Sequence, residues 1–221
     1  MADINNIYNS SFYEYLNPSQ NKYGNLELHT YPDTQVVTTA ELKSQLRIDT
    51  SDEDTLLATY ISAATQMAEH YCNRHFINAR YEVRFLKDLP SKFSLYFPDV
   101  TIDTSHSATN DDGLFYRSLD ALSEASAVAP IADYYLDRYA NPCYVVVEKT
   151  ITSATEFSIT TKGNYLFRFT TGMGTAASDV PDAIKQAIKL IASDMYYFRE
   201  DRKRAFPMAS EILLQPYKCY L

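Results

Sequence analysis

Apolar residues recur at helical spacing in two stretches of the chain and alternate with polar ones in the region between. The first helical stretch begins at Thr38, an N-cap residue followed three positions later by Glu41, the spacing of a capping box. A short helix to about Arg47 follows, with Leu42, Leu46 and Ile48 on its apolar face. A polar linker leads to Ser51 and Asp54, a second and looser capping pair, and the acids Asp52, Glu53 and Asp54 suit the positive end of a helix dipole. Leu56, Leu57, Tyr60, Ile61, Ala64, Met67, Ala68 and Tyr71 then keep helical steps, which predicts a long amphipathic helix ending near Asn73 and Arg74.

The second stretch opens near Ser178 and Asp179, with Pro181 expected in the first turn, where its missing N–H costs little. Ile184, Ala187, Ile188, Ile191, Met195 and Phe198 form its stripe. Arg199, Arg202, Lys203 and Arg204 load its far end with positive charge. Phe206-Pro207 opens a last short helix with Ile212, Leu213 and Leu214 apolar, and Pro216 stops it.

Between the two, residues 79–170 switch to a period of two. Tyr81-Glu82-Val83-Arg84-Phe85 alternates, Phe93 to Phe97 and Phe157 to Ile159 do so in part, and Tyr144 to Val147 and Tyr165 to Phe169 are more continuously apolar. Turn signals at Leu89-Pro90, Asp112-Gly113, Asn141-Pro142 and Gly163-Asn164 separate them, which predicts an antiparallel meander or small barrel. The polar run from Thr104 to Asp112 reads as a loop. The expected fold class is α+β, a small helical bundle with an antiparallel sheet region inserted between the long helix and the C-terminal helix.

Residues 1–35 have no sustained period and carry breakers at Asn17-Pro18 and Tyr31-Pro32. They read as an arm without its own core, either a disordered tail or a segment that orders on a neighbouring subunit. Its aromatic residues (Tyr8, Phe12, Tyr13, Tyr15, Tyr23) favour docking. The remaining chain, residues 36–221, reads as one domain: helices at 38–74, strands at 79–170, and C-terminal helices and tail at 179–221.

Composition narrows the function. The net charge of −8 gives no basic face for gripping nucleic acid. The 19 Tyr beside no Trp suit surfaces that are half buried in contacts. Cys72, Cys143 and Cys219 are odd in number and far apart, which offers no disulfide framework and suggests a reducing compartment. The first residues lack the pattern of a signal peptide, and no apolar run approaches a membrane span.

No motif carries chemistry. Counted from Asp49, the acidic run puts Asp54 at the glycine position of a calcium loop and Tyr60 at its closing acid, so helix capping accounts for it better. His70, Cys72 and His75 miss the i, i+4 spacing of a helical metal pair, and no second ligand pair follows. Gly172-Met173-Gly174 lacks the third Gly, the Lys and the Ser/Thr of a phosphate cradle and reads as a tight turn. No cofactor is expected. The cluster Arg199 to Arg204 is either a solvated helix end or a contact for an acidic partner.

The run Leu46-Arg47-Ile48-Asp49, the acids Asp52-Glu53-Asp54 and the long helix from Leu56-Leu57 to Tyr71 resemble the opening of the head–tail connector (adaptor) proteins of tailed bacteriophages. Val180-Pro181, Tyr196-Tyr197-Phe198-Arg199-Glu200 and the closing Pro207, Leu213-Leu214 and Pro216-Tyr217 are similar to that family's last helices. The resemblance implies no reaction. It implies a structural virion protein that forms a ring, dodecameric to match the portal, at the portal–tail junction. The ring would assemble in the host cytoplasm, bind the portal protein and tail or further connector proteins, and let DNA pass its channel without specific binding or any membrane contact. The basic helix end and the apolar tail after it mark Tyr196, Arg199, Arg202, Phe206, Leu213, Leu214 and Tyr217 as the residues expected to reach the portal. Removing residues 205–221 is then expected to abolish that contact and leave a folded domain. Two other classes stay open: a non-viral protein-binding module, and an enzyme with a non-local carboxylate site.

Overall fold

Thr38 caps the first helix as its spacing requires: its N–H donates to the Glu41 carboxylate at 2.7 Å, and the Glu41 N–H donates to Thr38 Oγ1 at 3.3 Å. The computed structural model describes residues 25–87, 89–95, 97–103, 112–117, 128–131, 134–138, 143–147, 163–199 and 208–220. Four helices lie among them: α1 (Thr39–Leu46), α2 (Asp54–Cys72), α3 (Asp182–Tyr197) and α4 (Met208–Leu214). The strands are β1 (Asn25–Thr30), β2 (Ala79–Lys87), β3 (Lys92–Ser94), β4 (Val100–Thr101), β5 (Gly113–Arg117), β6 (Val128–Ile131), β7 (Tyr134–Asp137), β8 (Tyr144–Val147) and β9 (Gly163–Thr171). The fold is α+β. The described residues form two units, a helical one from Pro32–Asn78 and Gly172–Tyr220 and a strand-rich one from Ala79–Thr171 and the chain up to Tyr31.

In the helical unit, α1 ends at Arg47 and α2 at Asn73, both in the left-handed conformation that closes a helix. Asn was the expected stop for α2. The Ser51 side chain does not cap α2; the Asp54 N–H reaches the Ser51 carbonyl at 3.2 Å instead, leaving the Glu53 carboxylate for bonds elsewhere. Pro181 stands just before α3 rather than in its first turn, because a 3-10 turn at Ala177–Asp179 comes first. The core joins Leu42 and Leu46 of α1, Leu57 and Ile61 of α2, Ile184 and Ile188 of α3, and Leu214 of α4, all buried.

The strand-rich unit is built on alternation. Ala79, Tyr81, Val83 and Phe85 of β2 are buried on one face, in register with Thr171, Phe169, Phe167 and Tyr165 of β9. Its larger sheet runs β1-β2-β9-β5-β6, with β4 also on β9, and the smaller runs β3-β8-β7, all antiparallel. Phe93 of β3 meets Phe85 and Phe167 edge-on, with centroids 4.7 and 5.6 Å away, so both sheets share one aromatic core. This is not a simple meander, since β2 pairs with the distant β9. The strand expected at Phe157 to Ile159 and most of the loop from Thr104 lie outside the described residues. Part of the expected arm is a strand of this sheet: Leu26 of β1 is buried opposite Val83.

The opposite face of β2 and β9 carries a buried ionic lattice. Arg80 donates to Asp112 at 2.6 Å, and the same carboxylate accepts from Thr170 Oγ1 at 2.7 Å and the Asp103 N–H at 3.1 Å. Glu82, directly across from Arg168, accepts from it at 2.7 Å and also from Arg84. Burial opposes the Glu82 charge, but these two guanidinium groups outweigh it and hold the carboxyl below its usual range.

Candidate functional site

The C-terminal helices carry the residues expected to face a partner, and the structure sorts them into three groups. Tyr196 and Arg199 converge on Glu53, from just before α2. The Tyr196 hydroxyl donates to Glu53 Oε2, and Arg199 Nη2 donates to Oε1 at 3.0 Å. The Arg199 guanidinium also lies 5.4 Å from the centre of the Tyr196 ring. These bonds lower the Glu53 pKa, Tyr196 contributing most and Arg199 next, and the bond to Glu53 raises that of the Tyr196 hydroxyl. The pair therefore ties the end of α3 to the start of α2, while the Arg199 side chain remains more than half exposed.

Leu213, Leu214 and Tyr217 form the second group and pack on the helical core. Leu214 is completely buried, and Leu213 and Tyr217 are partly so. The chain beyond is fastened too: the Cys219 N–H donates to the Cys72 carbonyl at 2.8 Å, and Asn73 Nδ2 donates to the Cys219 carbonyl at 3.0 Å. The tail is thus part of the bundle. The expectation that residues 205–221 can be removed without harm to the fold does not fit a segment that supplies a fully buried leucine. Arg202 and Phe206 form the third group and lie outside the described residues.

The exposed apolar side chains are ones that sequence reading passed over. Met208 and Ile212 are each 62% exposed and stand four residues apart on one face of α4. Tyr197, Phe198 and Tyr220 are also exposed. The signal was present. Two residues in a helix turn about 200°, so Ile212 must face away from Leu214, but the unbroken run Ile212-Leu213-Leu214 hid that division.

Other candidates resolve into structure. His75 Nδ1 lies 3.2 Å from Glu69 Oε2, whose other oxygen accepts from the Phe76 N–H at 2.8 Å; Cys72 is buried and His70 exposed. Among the described residues no group of three or more His, Cys, Asp or Glu is placed to hold a metal ion. At Gly172 (φ +155°) an added Cβ would lie 2.7 Å from the Asn78 backbone, and at Gly174 it would overlap the Asp179 side chain. The Met173 N–H donates to the Phe76 carbonyl at 3.3 Å. Close packing within the chain accounts for the Gly-Met-Gly turn. No described helix is long and apolar enough to cross a membrane.

Glu41, Glu53, Glu82 and Asp112 are thus engaged in capping and ionic bonds, and α4 displays Met208 and Ile212. The sequence profile of the phage gp6-like head–tail connector proteins matches residues 37–108, which span α1, α2 and the first strands after them. No curated protein matches the chain. Among solved structures, a chain in the neck of an empty gene transfer agent (GTA) particle computed with C6 symmetry superposes with a TM-score of 0.64 at 20% identity, over 89% of this chain and 96% of that one. A chain from the virion of the native particle gives 0.63 at 21%, over the same shares. One from the native neck computed with C12 symmetry gives 0.61 at 20%, again over the same shares. Residues 37–108 are thus similar to the gp6-like head–tail connector proteins, and the fold is shared with chains of the GTA neck and virion.

Proposed function

We propose that this chain is a head–tail connector that forms a ring between the capsid portal and the tail and continues the DNA channel. The observation that carries the reading is the coincidence of two findings: the connector profile over residues 37–108, and a fold shared over 89% of the chain with neck proteins from particles described with C6 and C12 symmetry. A ring of twelve agrees with that symmetry. Closed rings need two different faces on each subunit. The net charge of −8 supports a channel that DNA passes without sticking.

The C-terminal helices are the portal-facing part in this reading. Arg199 offers an exposed cation, and Met208 and Ile212 an apolar strip, with Arg202 and Phe206 in the segment that joins α3 to α4. Tyr196, Leu213, Leu214 and Tyr217 serve by fixing that surface to the bundle. The test is the paired variant Met208→Asp with Ile212→Asp, which puts charge on the strip and leaves the core intact. Loss of co-migration with the portal, with an unchanged circular dichroism spectrum, is expected. Undiminished portal binding by the folded variant would refute this assignment.

A further inference from the structure

Cys72 and Cys219 are separated by almost two thirds of the chain, yet the fold brings them side by side. The Cys219 N–H donates to the Cys72 carbonyl at 2.8 Å. With standard bond lengths on either side of that hydrogen bond, the two Cα atoms are no more than about 6.7 Å apart, inside the range a disulfide spans. Cys72 Sγ lies 3.8 Å from the carbonyl oxygen of Leu214, five residues before Cys219 in the same tail. Asn73 holds the Cys219 carbonyl at 3.0 Å, so the tail is already positioned in the reduced protein. All three cysteines are thiols here, and Cys143 belongs to the strand-rich unit.

We propose that Cys72 and Cys219 form a redox clip, a dithiol that closes to a disulfide and fastens the C-terminal tail to the end of α2. The roles of the two sulfurs follow from their surroundings. Cys219 is partly accessible and follows Lys218, whereas Cys72 is fully buried, and burial pushes its thiol up to about 12. Cys219 is therefore the entry point. With oxidised glutathione as the oxidant, the Cys219 thiolate attacks one glutathione sulfur and releases one glutathione thiolate, forming a mixed disulfide. Cys72 then loses its proton and attacks Cys219 Sγ, expelling the second glutathione. Two protein thiols are oxidised to one disulfide, and one glutathione disulfide is reduced to two thiols. A cytosol keeps the clip open, and an oxidising exterior closes it. This rests on the geometry of the pair and not on portal binding.

The test is incubation of the full chain with oxidised glutathione, followed by peptide mapping without reductant and a thermal melt. A loss of about 2 Da, a Cys72–Cys219 cross-linked peptide, an unmodified Cys143 and a melting temperature raised over the reduced protein are expected. Cys219→Ser should fold normally and lose both the cross-link and the shift. Persistence of a glutathione adduct on Cys219 with no cross-link to Cys72, or a cross-link only between separate chains, would overturn the proposal.

Discussion

Replacing Leu214 by alanine should loosen the whole C-terminal segment, although only seven residues follow it in the sequence. Leu214 has no exposed surface, and it is the buried apolar residue that α4 contributes to the helical core. Leu→Ala changes at such sites cost about 2–5 kcal/mol, from lost burial and the cavity left behind. A seven-residue helix is far below the length that is stable alone, so α4 keeps its shape only by docking. A loss of about 3 kcal/mol shifts the docking equilibrium roughly a hundredfold. Amide hydrogen exchange read by mass spectrometry gives the test directly. Peptides covering residues 208–220 should lose protection in Leu214→Ala, and urea unfolding should shift to lower denaturant. Ile212→Ala is the matched control: the side chain is 62% exposed, and its removal should stay within about 0.5 kcal/mol of wild type. Equal behaviour of the two variants would refute the placement of α4 and the claim that the tail belongs to the bundle.

Three further outcomes follow from the geometry. Asp112→Ala removes the carboxylate that pairs with buried Arg80 and accepts from Thr170 and Asp103, and breaking this buried pair by removing one partner should cost about 3–5 kcal/mol in chemical denaturation. Thr38→Ala should cost about 1 kcal/mol by removing the α1 cap. Hydrogen bonds from the Thr38 backbone and side chain hold the Glu41 carboxyl below its ordinary value of 4.5. The capping-box stabilisation is therefore fully present above that pH and fades as pH falls through the folded value, so wild type and variant should converge in acid melts. Thiol labelling of the reduced protein at pH 8 should reach Cys219 first, because burial raises Cys72 to about 12 and Cys143 to about 11; equal labelling of all three before unfolding would contradict the packing described.

Local signals were strong where the chain acts locally. The capping box at Thr38, the stop at Asn73 and the apolar stripes of α2 and α3 were legible because a helix is defined by neighbours three and four residues apart. The alternation of Tyr81, Val83 and Phe85 announced β2 for the same kind of reason. Partners were not legible. Nothing in the sequence of β2 says that β9 is its neighbour, nor that Glu82 will sit opposite Arg168, because pairing is settled by which faces can be buried together. Glu53 read as a helix-dipole acid, and only the fold shows it held by Tyr196 and Arg199. The odd cysteine count hid the approach of Cys72 to Cys219, which depends on the tail folding back along the bundle. In the candidate surface, the apolar run at residues 212–214 led to Leu214 being assigned outward, where the packing turns it in.

The central claim is that the chain works as a ring on a portal. Its most direct test is the mass of the purified protein, alone and mixed with the portal of the same particle, by light scattering after size exclusion. The account predicts a portal complex heavier than the portal alone by about twelve copies of the 25.2 kDa chain, whatever the state of the free protein. A chain that elutes as a monomer and leaves the portal mass unchanged would contradict it.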